Sequence, residues 1–463
     1  MFDILIAGTV VIVVAGITAV VSTRFPRAMR QWVWLALAEY LVCVVAQVVF
    51  TRSVGGGDML FYAETGKVLA RFLDQHFAWA APELWSLLLQ RPSAFDEVVE
   101  GGSSNTGSMN ALAGWLLFFL GGSDYAAYVV VASFAFFGAL GIYKAFQEAY
   151  PECPPNRLFA STVLFPSVAF WTSALHKEAL CIAGLGALLT AWRGIYSKRL
   201  LRVVVCAPIG FGLIVLFRAP ALMPVILGLV TYFVVERVER VRGAERAILG
   251  PAYFGLALVA LAVAMLALTR VAPAFGVDRL GETVTTQQQN WTLSRGGSSF
   301  EMGAGDVPQS LAGQLARVPL ALLNALFRPQ LFDVNNVAAL LSALEMTAIT
   351  VLVIRAGVRQ GVRRLVDQIK SSPFLLMCTV VTFVGCAFVG LVTFNFGSLA
   401  RYRVPFLPFY GALVVALNSQ KVRAGQKAPA KPVRAGRRAP SPHTGALARA
   451  TSGSSRRGHS TLK

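Results

Sequence analysis

Phe165-Pro-Ser-Val-Ala-Phe-Trp-Thr-Ser-Ala-Leu-His-Lys-Glu-Ala-Leu180 sets His176, Lys177 and Glu178 between two apolar runs. Charge so close to hydrocarbon is costly, and in membrane proteins it marks a functional site by default. The stretch reads as a turn joining two membrane spans, facing outward and lining a site.

The rest of the chain supports a membrane setting. It is 56% hydrophobic and 14% charged, whereas soluble domains carry about 25% charged residues. Its apolar runs are continuous rather than alternating, which excludes a transmembrane barrel. The expected fold class is all-α: a polytopic helical membrane protein with about eleven transmembrane helices. The spans are expected at 4–22, 32–50, 126–143, 158–173, 179–193, 203–217, 220–235, 248–268, 336–354, 374–394 and 404–418. Two shorter apolar pieces, 111–120 and 318–327, are too short to cross a core of about 30 Å and read as re-entrant or interfacial helices. The first run has neither a basic start nor a small-residue cleavage site, so it reads as a span rather than a cleaved signal.

Charge sets the expected orientation. Alternate connecting segments, with the tail, hold 29 Lys/Arg against six Asp/Glu, and the opposite segments hold 13 against 14. By the positive-inside rule the N-terminus lies outside and the C-terminus inside. Residues 1–420 form the membrane domain. Residues 421–463 form a basic cytoplasmic tail, with eleven Lys/Arg and no Asp or Glu. Its composition suits a disordered segment near anionic lipid, and no aromatic residues interleave with the charge as nucleic-acid binding would require. The six cysteines lack metal-ligand spacing, so neither zinc nor disulfides are expected.

Two long segments then share the outer face, 51–125 and 269–335. Asp58 follows Gly55-Gly-Gly57 in the first, a carboxylate that could serve as a base just above the membrane; it equally suits a helix cap. Lys177 could hold a phosphate as a point charge, helped by the N–H groups of the helix starting there, and Glu178 could act as acid or base. Both also fit a helix start with a favourable Glu and a snorkelling Lys. Arg218, Arg328, Arg401 and Arg403 lie in outer turns beside proline or aromatic residues, and arginine suits bidentate phosphate contacts. Glu39 and Glu345 lie inside expected spans. Asn290-Trp-Thr292 fits a glycosylation sequon. Nucleotide loops, dinucleotide fingerprints, metalloprotease helices and serine-hydrolase elbows are absent from the sequence.

Asp58 with Tyr62, the Phe165–Glu178 turn with His176 and Lys177, Phe327-Arg-Pro329, and Asn395-Phe-Gly-Ser-Leu-Ala-Arg-Tyr-Arg-Val-Pro405 carry a resemblance. Together they resemble bacterial polytopic membrane glycosyltransferases of the GT-C superfamily and Wzy-type polysaccharide polymerases of exopolysaccharide clusters. The resemblance implies a GT-C-like fold in the bacterial inner membrane, working at the periplasmic face on undecaprenyl-diphosphate-linked saccharides. Asp58, or else Glu178, is the implied catalytic group. Tyr62, His176, Lys177, Arg218, Arg328, Arg401, Tyr402 and Arg403 are the implied substrate-binding residues. No cofactor is implied, and metal dependence stays open. Membrane lipids, a chain-length regulator and a flippase are the implied partners. No Asp-x-Asp follows Asp58 and no large soluble domain follows the last span, which favours a repeat-unit polymerase of exopolysaccharide or O-antigen. A transferase of single sugars from a polyprenyl phosphate, and a flippase or polysaccharide transporter, are the alternatives.

Overall fold

Proline and glycine positions set the helix boundaries of this chain. The computed structural model describes residues 2–241, isolated positions within 251–286, and 311–334, 337–393 and 395–419. The expected span at 248–268, most of the second outer segment, the sequon at Asn290 and the basic tail lie largely or wholly outside the described residues.

Every regular element among the described residues is helical. In order they are α1 (Phe2–Ser22), α2 (Arg27–Val54), α3 (Asp58–Leu88), α4 (Asn105–Phe119), α5 (Asp124–Ala149), α6 (Pro155–Thr162), α7 (Pro166–Trp171) and α8 (Lys177–Tyr196). There follow α9 (Leu200–Arg218), α10 (Leu222–Arg240), α11 (Leu311–Phe327), α12 (Val337–Gln360), α13 (Val362–Lys370), α14 (Pro373–Val392), α15 (Phe396–Tyr402) and α16 (Leu407–Ser419). Seven candidate membrane spans, long and apolar enough to cross a bilayer, occur among the described residues. The protein is therefore a helical membrane protein.

Two expectations change in the structure. The span expected at 158–173 is two short helices, α6 and α7, of 8 and 6 residues. Pro166 has no N–H to give, and the residue before a proline is driven from helical dihedrals; Phe165 is accordingly extended, at φ −91° and ψ 108°. The span expected at 404–418 is a 3-10 turn followed by the 13 residues of α16. The long outer segment 51–125 is helical over most of its length. It folds as the 31-residue α3 and the 15-residue α4, packed side by side. Gly55 ends α2 in the left-handed region at φ 76°, and Gly57, at φ 144°, leads into α3, conformations that cost glycine little.

The core lies where α8 is sandwiched between α5 and α9. Small residues let these backbones approach as in membrane bundles: a Cβ on Gly138 of α5 or on Gly186 of α8 would strike the facing backbone. The second half packs α14 against α10 and α11, and α16 against α6, α12 and α14. A smaller apolar cluster of Leu69, Leu73, Leu84, Phe95 and Trp115 holds α3 to α4.

Candidate functional site

Four helix ends converge on one place. Asp58 begins α3, Lys177 and Glu178 begin α8, Arg218 ends α9, and Arg401 sits in the last turn of α15. Each position has a local cause. The glycine run stops α2 and restarts the chain at Asp58. The non-helical backbone of Arg218, φ −154° and ψ 52°, breaks the chain between α9 and α10 next to Pro220. The side-chain oxygen of Asn395 caps α15 by accepting from the N–H groups of Gly397 (2.9 Å) and Ser398 (3.2 Å), satisfying donors that a helix start leaves free.

Glu178 is the centre. Its side chain is wholly buried, and it takes a guanidinium on each oxygen. Arg218 Nη2 donates to Oε1. Arg401 Nε lies 2.9 Å from Oε2, an ion pair without hydrogen-bond alignment. Arg401 also donates from Nη1 to Asp58 Oδ2 at 2.7 Å. The guanidinium of Arg218 stacks over the Tyr402 ring, 4.2 Å from its centroid, a favourable cation–π placement. Lys177 is buried too; its Nζ donates to Asn105 Oδ1 (3.0 Å) and Thr106 Oγ1 (2.8 Å), and lies 5.8 Å from the centroid of the buried Tyr62 ring. His176 pairs its Nε2 with the Gln47 side-chain amide at 2.7 Å.

The electrostatics follow from this packing. Burial pushes the Asp58 carboxyl up, but the charge and hydrogen bond of Arg401 outweigh it, and the group is held below the usual carboxylate value. Burial, then the nearby Arg401 charge, pushes His176 down to about 4, so the imidazole is neutral near pH 7. Burial works against the charge of Arg401, yet Glu178 and Asp58 raise its affinity for the proton above that of free arginine. Three cations, Lys177, Arg218 and Arg401, thus face two carboxylates. Side-chain exposure is 47% at Asp58, 14% at Arg401 and 18% at Arg218. The rim is open to a ligand and the Glu178 floor is closed.

An apolar cavity of about 500 Å³ lies between α4, α5, α8 and α9, and none of the charged site residues lines it. Leu180 of α8 and Leu216 and Phe217 of α9 line it; Gly138, Gly141 and Gly186 leave room along its length.

The other two arginines named from the sequence go elsewhere. Arg403, two residues after Arg401, is fully buried. It donates to the carbonyls of Ala325 (3.2 Å) and Arg328 and to Ser342 Oγ (2.8 Å). Arg328 pairs with Asp333 and lies over the Phe396 ring, 4.7 Å from its centroid. These two residues tie α11, α12 and α15 together, and neither contacts Asp58 or Glu178 in the described structure. The four arginines expected to hold phosphate therefore divide into a site pair, Arg218 and Arg401, and a packing pair, Arg328 and Arg403. Asn105, Thr106 and Gln47 were not singled out from the sequence. Ser104-Asn105-Thr106 carries a helix-start signal, and Ser104 does cap α4. That signal gives no hint that the two residues after the cap hold Lys177. No family model matches the chain, and neither a curated protein nor a solved structure matches it.

Proposed function

We propose that the protein is a membrane glycosyltransferase acting on polyprenyl-diphosphate-linked saccharides, and specifically a repeat-unit polymerase. One observation carries the reading: two arginines, a lysine and two carboxylates meet where helix ends of a membrane protein converge, with the Asp58 rim exposed. A diphosphate head carried to the ends of membrane helices by a hydrocarbon tail matches that charge. Arginine offers the forked donors suited to phosphate oxygens, and negative charge builds on that group as the glycosidic bond to it breaks.

The geometry supports the following roles. Arg401 and Arg218 hold the diphosphate leaving group, and Lys177 adds a third positive charge beside the α8 N-terminus. Glu178, buried and shared by both arginines, orients them. Asp58 is the exposed carboxylate and serves as the base that takes the proton from the attacking sugar hydroxyl. In the free protein Arg401 quiets Asp58. A diphosphate that draws Arg401 away restores its basicity, so the base is released only when the donor is bound.

The test is reconstitution with lipid-linked repeat units, reading glycan length and release of the lipid diphosphate. Elongation that disappears in Asp58→Asn supports the reading. Addition of one sugar without elongation points to the single-sugar transferase. Translocation of the lipid-linked unit with no new glycosidic bond sinks the transferase reading altogether.

A further inference from the structure

A second cavity, of about 630 Å³, lies between α6, α7, α12 and α16, within the roughly 300–1,000 Å³ usual for small-ligand sites. Its walls are mostly apolar, with Leu164, Phe165, Leu341, Ala348 and Val414 among them; Arg157 and Arg355 also line it, as does Glu345, whose carboxylate accepts from the N–H and hydroxyl of Ser167. Both arginines are exposed, and neither is ion-paired with a described carboxylate.

Chain direction fixes which end of the bundle this is. Arg403 reaches Ser342 of α12 at 2.8 Å, next to the Asp58–Glu178 site. Further along, Asn418 of α16 donates to the Leu352 carbonyl (3.0 Å) and Gln360 to the Leu417 carbonyl (2.6 Å). So α12 and α16 run side by side away from the site, and Arg355 lies about 20 Å beyond Ser342 at 1.5 Å per residue. The same end carries α13, with Leu365 and Ile369 packed against the core and Arg363 and Arg364 exposed. An amphipathic helix of this kind suits the headgroup layer of a bilayer.

We propose that this groove binds an anionic glycerophospholipid, its phosphate held by Arg157 and Arg355 and one acyl chain lying along the apolar wall towards Pro166. Charge complementarity selects the headgroup, since two exposed guanidinium groups without a described ion pair, beside a mostly apolar wall, match an anionic head above a hydrocarbon tail. The neighbouring basic surface helix places the arginine end of the groove at headgroup depth. The lipid would brace the α6–α7 break, because Leu164, Phe165 and Pro166 all line the groove. This groove is distinct from the Asp58–Glu178 cluster and does not depend on the transferase reading.

The experiment uses the full chain in nanodiscs containing diazirine-tagged phosphatidylglycerol or phosphatidylcholine, with labelled peptides mapped by mass spectrometry. Phosphatidylglycerol should label segments 341–355 and 411–418, and unlabelled phosphatidylglycerol, but not phosphatidylcholine, should displace it. Arg157→Ala with Arg355→Ala should cut that labelling roughly 30-fold, given the headgroup attraction of two arginines. Ala348→Trp should block it by filling the groove. Equal labelling by the two lipids overturns the proposal, as does undiminished labelling of the double variant. Preferential displacement by a polyprenyl phosphate also overturns it. The wild-type competition arm decides the matter even where a variant fails to fold.

Discussion

Arg401 Nη1 donates to Asp58 Oδ2 at 2.7 Å, joining residues 343 positions apart in the chain. The same guanidinium also rests on Glu178. One arginine therefore links an exposed carboxylate to a buried one, and the two should answer differently to substitution.

Asp58→Asn should leave the fold almost unchanged. The Asp58 side chain is half-exposed, and pairs of this kind contribute about 0–1 kcal/mol. Elongation should nevertheless fall roughly 10²- to 10⁴-fold, the usual contribution of a general base. Parallel measurement of thermal unfolding and glycan release checks this, and retained elongation would remove Asp58 from the chemistry.

Glu178→Gln should behave in the opposite sense. The change leaves Arg218 and Arg401 without their buried counter-charge, and breaking a buried pair costs about 3–5 kcal/mol. The unfolding midpoint should drop, and elongation should fall with it. Restored stability in Glu178→Asp with elongation still lost would give Glu178 a direct chemical part, which the packing argues against.

The apolar runs made the membrane class legible, because continuous hydrophobicity over some twenty residues has few other solutions. Charge placement also picked out Asp58, Glu178, Arg218 and Arg401, which the fold brings together. Arg403 was not separable from Arg401 by sequence, since both are arginines in one turn beside Tyr402. Only the helical phase at the end of α15 sends one to Asp58 and the other to Ser342. Likewise, hydropathy cannot distinguish one 16-residue helix from α6 and α7, because the break is a local backbone effect of Pro166. The partners of Lys177 were hidden for another reason. Asn105 and Thr106 lie more than 70 positions away, and pairing at that range leaves no local pattern.

Arg403→Met tests that separation. It should abandon the carbonyls of Ala325 and Arg328 and the hydroxyl of Ser342, each buried acceptor costing about 1–3 kcal/mol when left unpaired. Stability should fall while the KM for lipid-linked donor in the folded fraction stays level. Arg401→Ala should raise that KM. A donor KM that rises equally in both variants would return Arg403 to the diphosphate site.

The last prediction concerns acid. The buried imidazole of His176 is held at about 4 against an ordinary value of 6.5. Between those values the unfolded chain binds a proton that the folded chain refuses, so stability falls as pH falls. The contribution is fully present above pH 6.5, declines below it, and has cost about 2 kcal/mol by pH 5. Asp58 adds its own acid loss lower down. Its folded value is depressed, so its contribution holds above the ordinary carboxylate value of 3.8 and disappears as pH falls through the depressed one. Unfolding midpoints of wild type and His176→Asn, measured at pH 7.5 and pH 5, separate the two. The variant keeps a side chain able to meet Gln47 and has no imidazole to protonate. Its midpoint should change less over that interval than wild type, and the activity of its folded fraction should survive at pH 5. Parallel declines in the two proteins would place the acid sensitivity in some group other than His176.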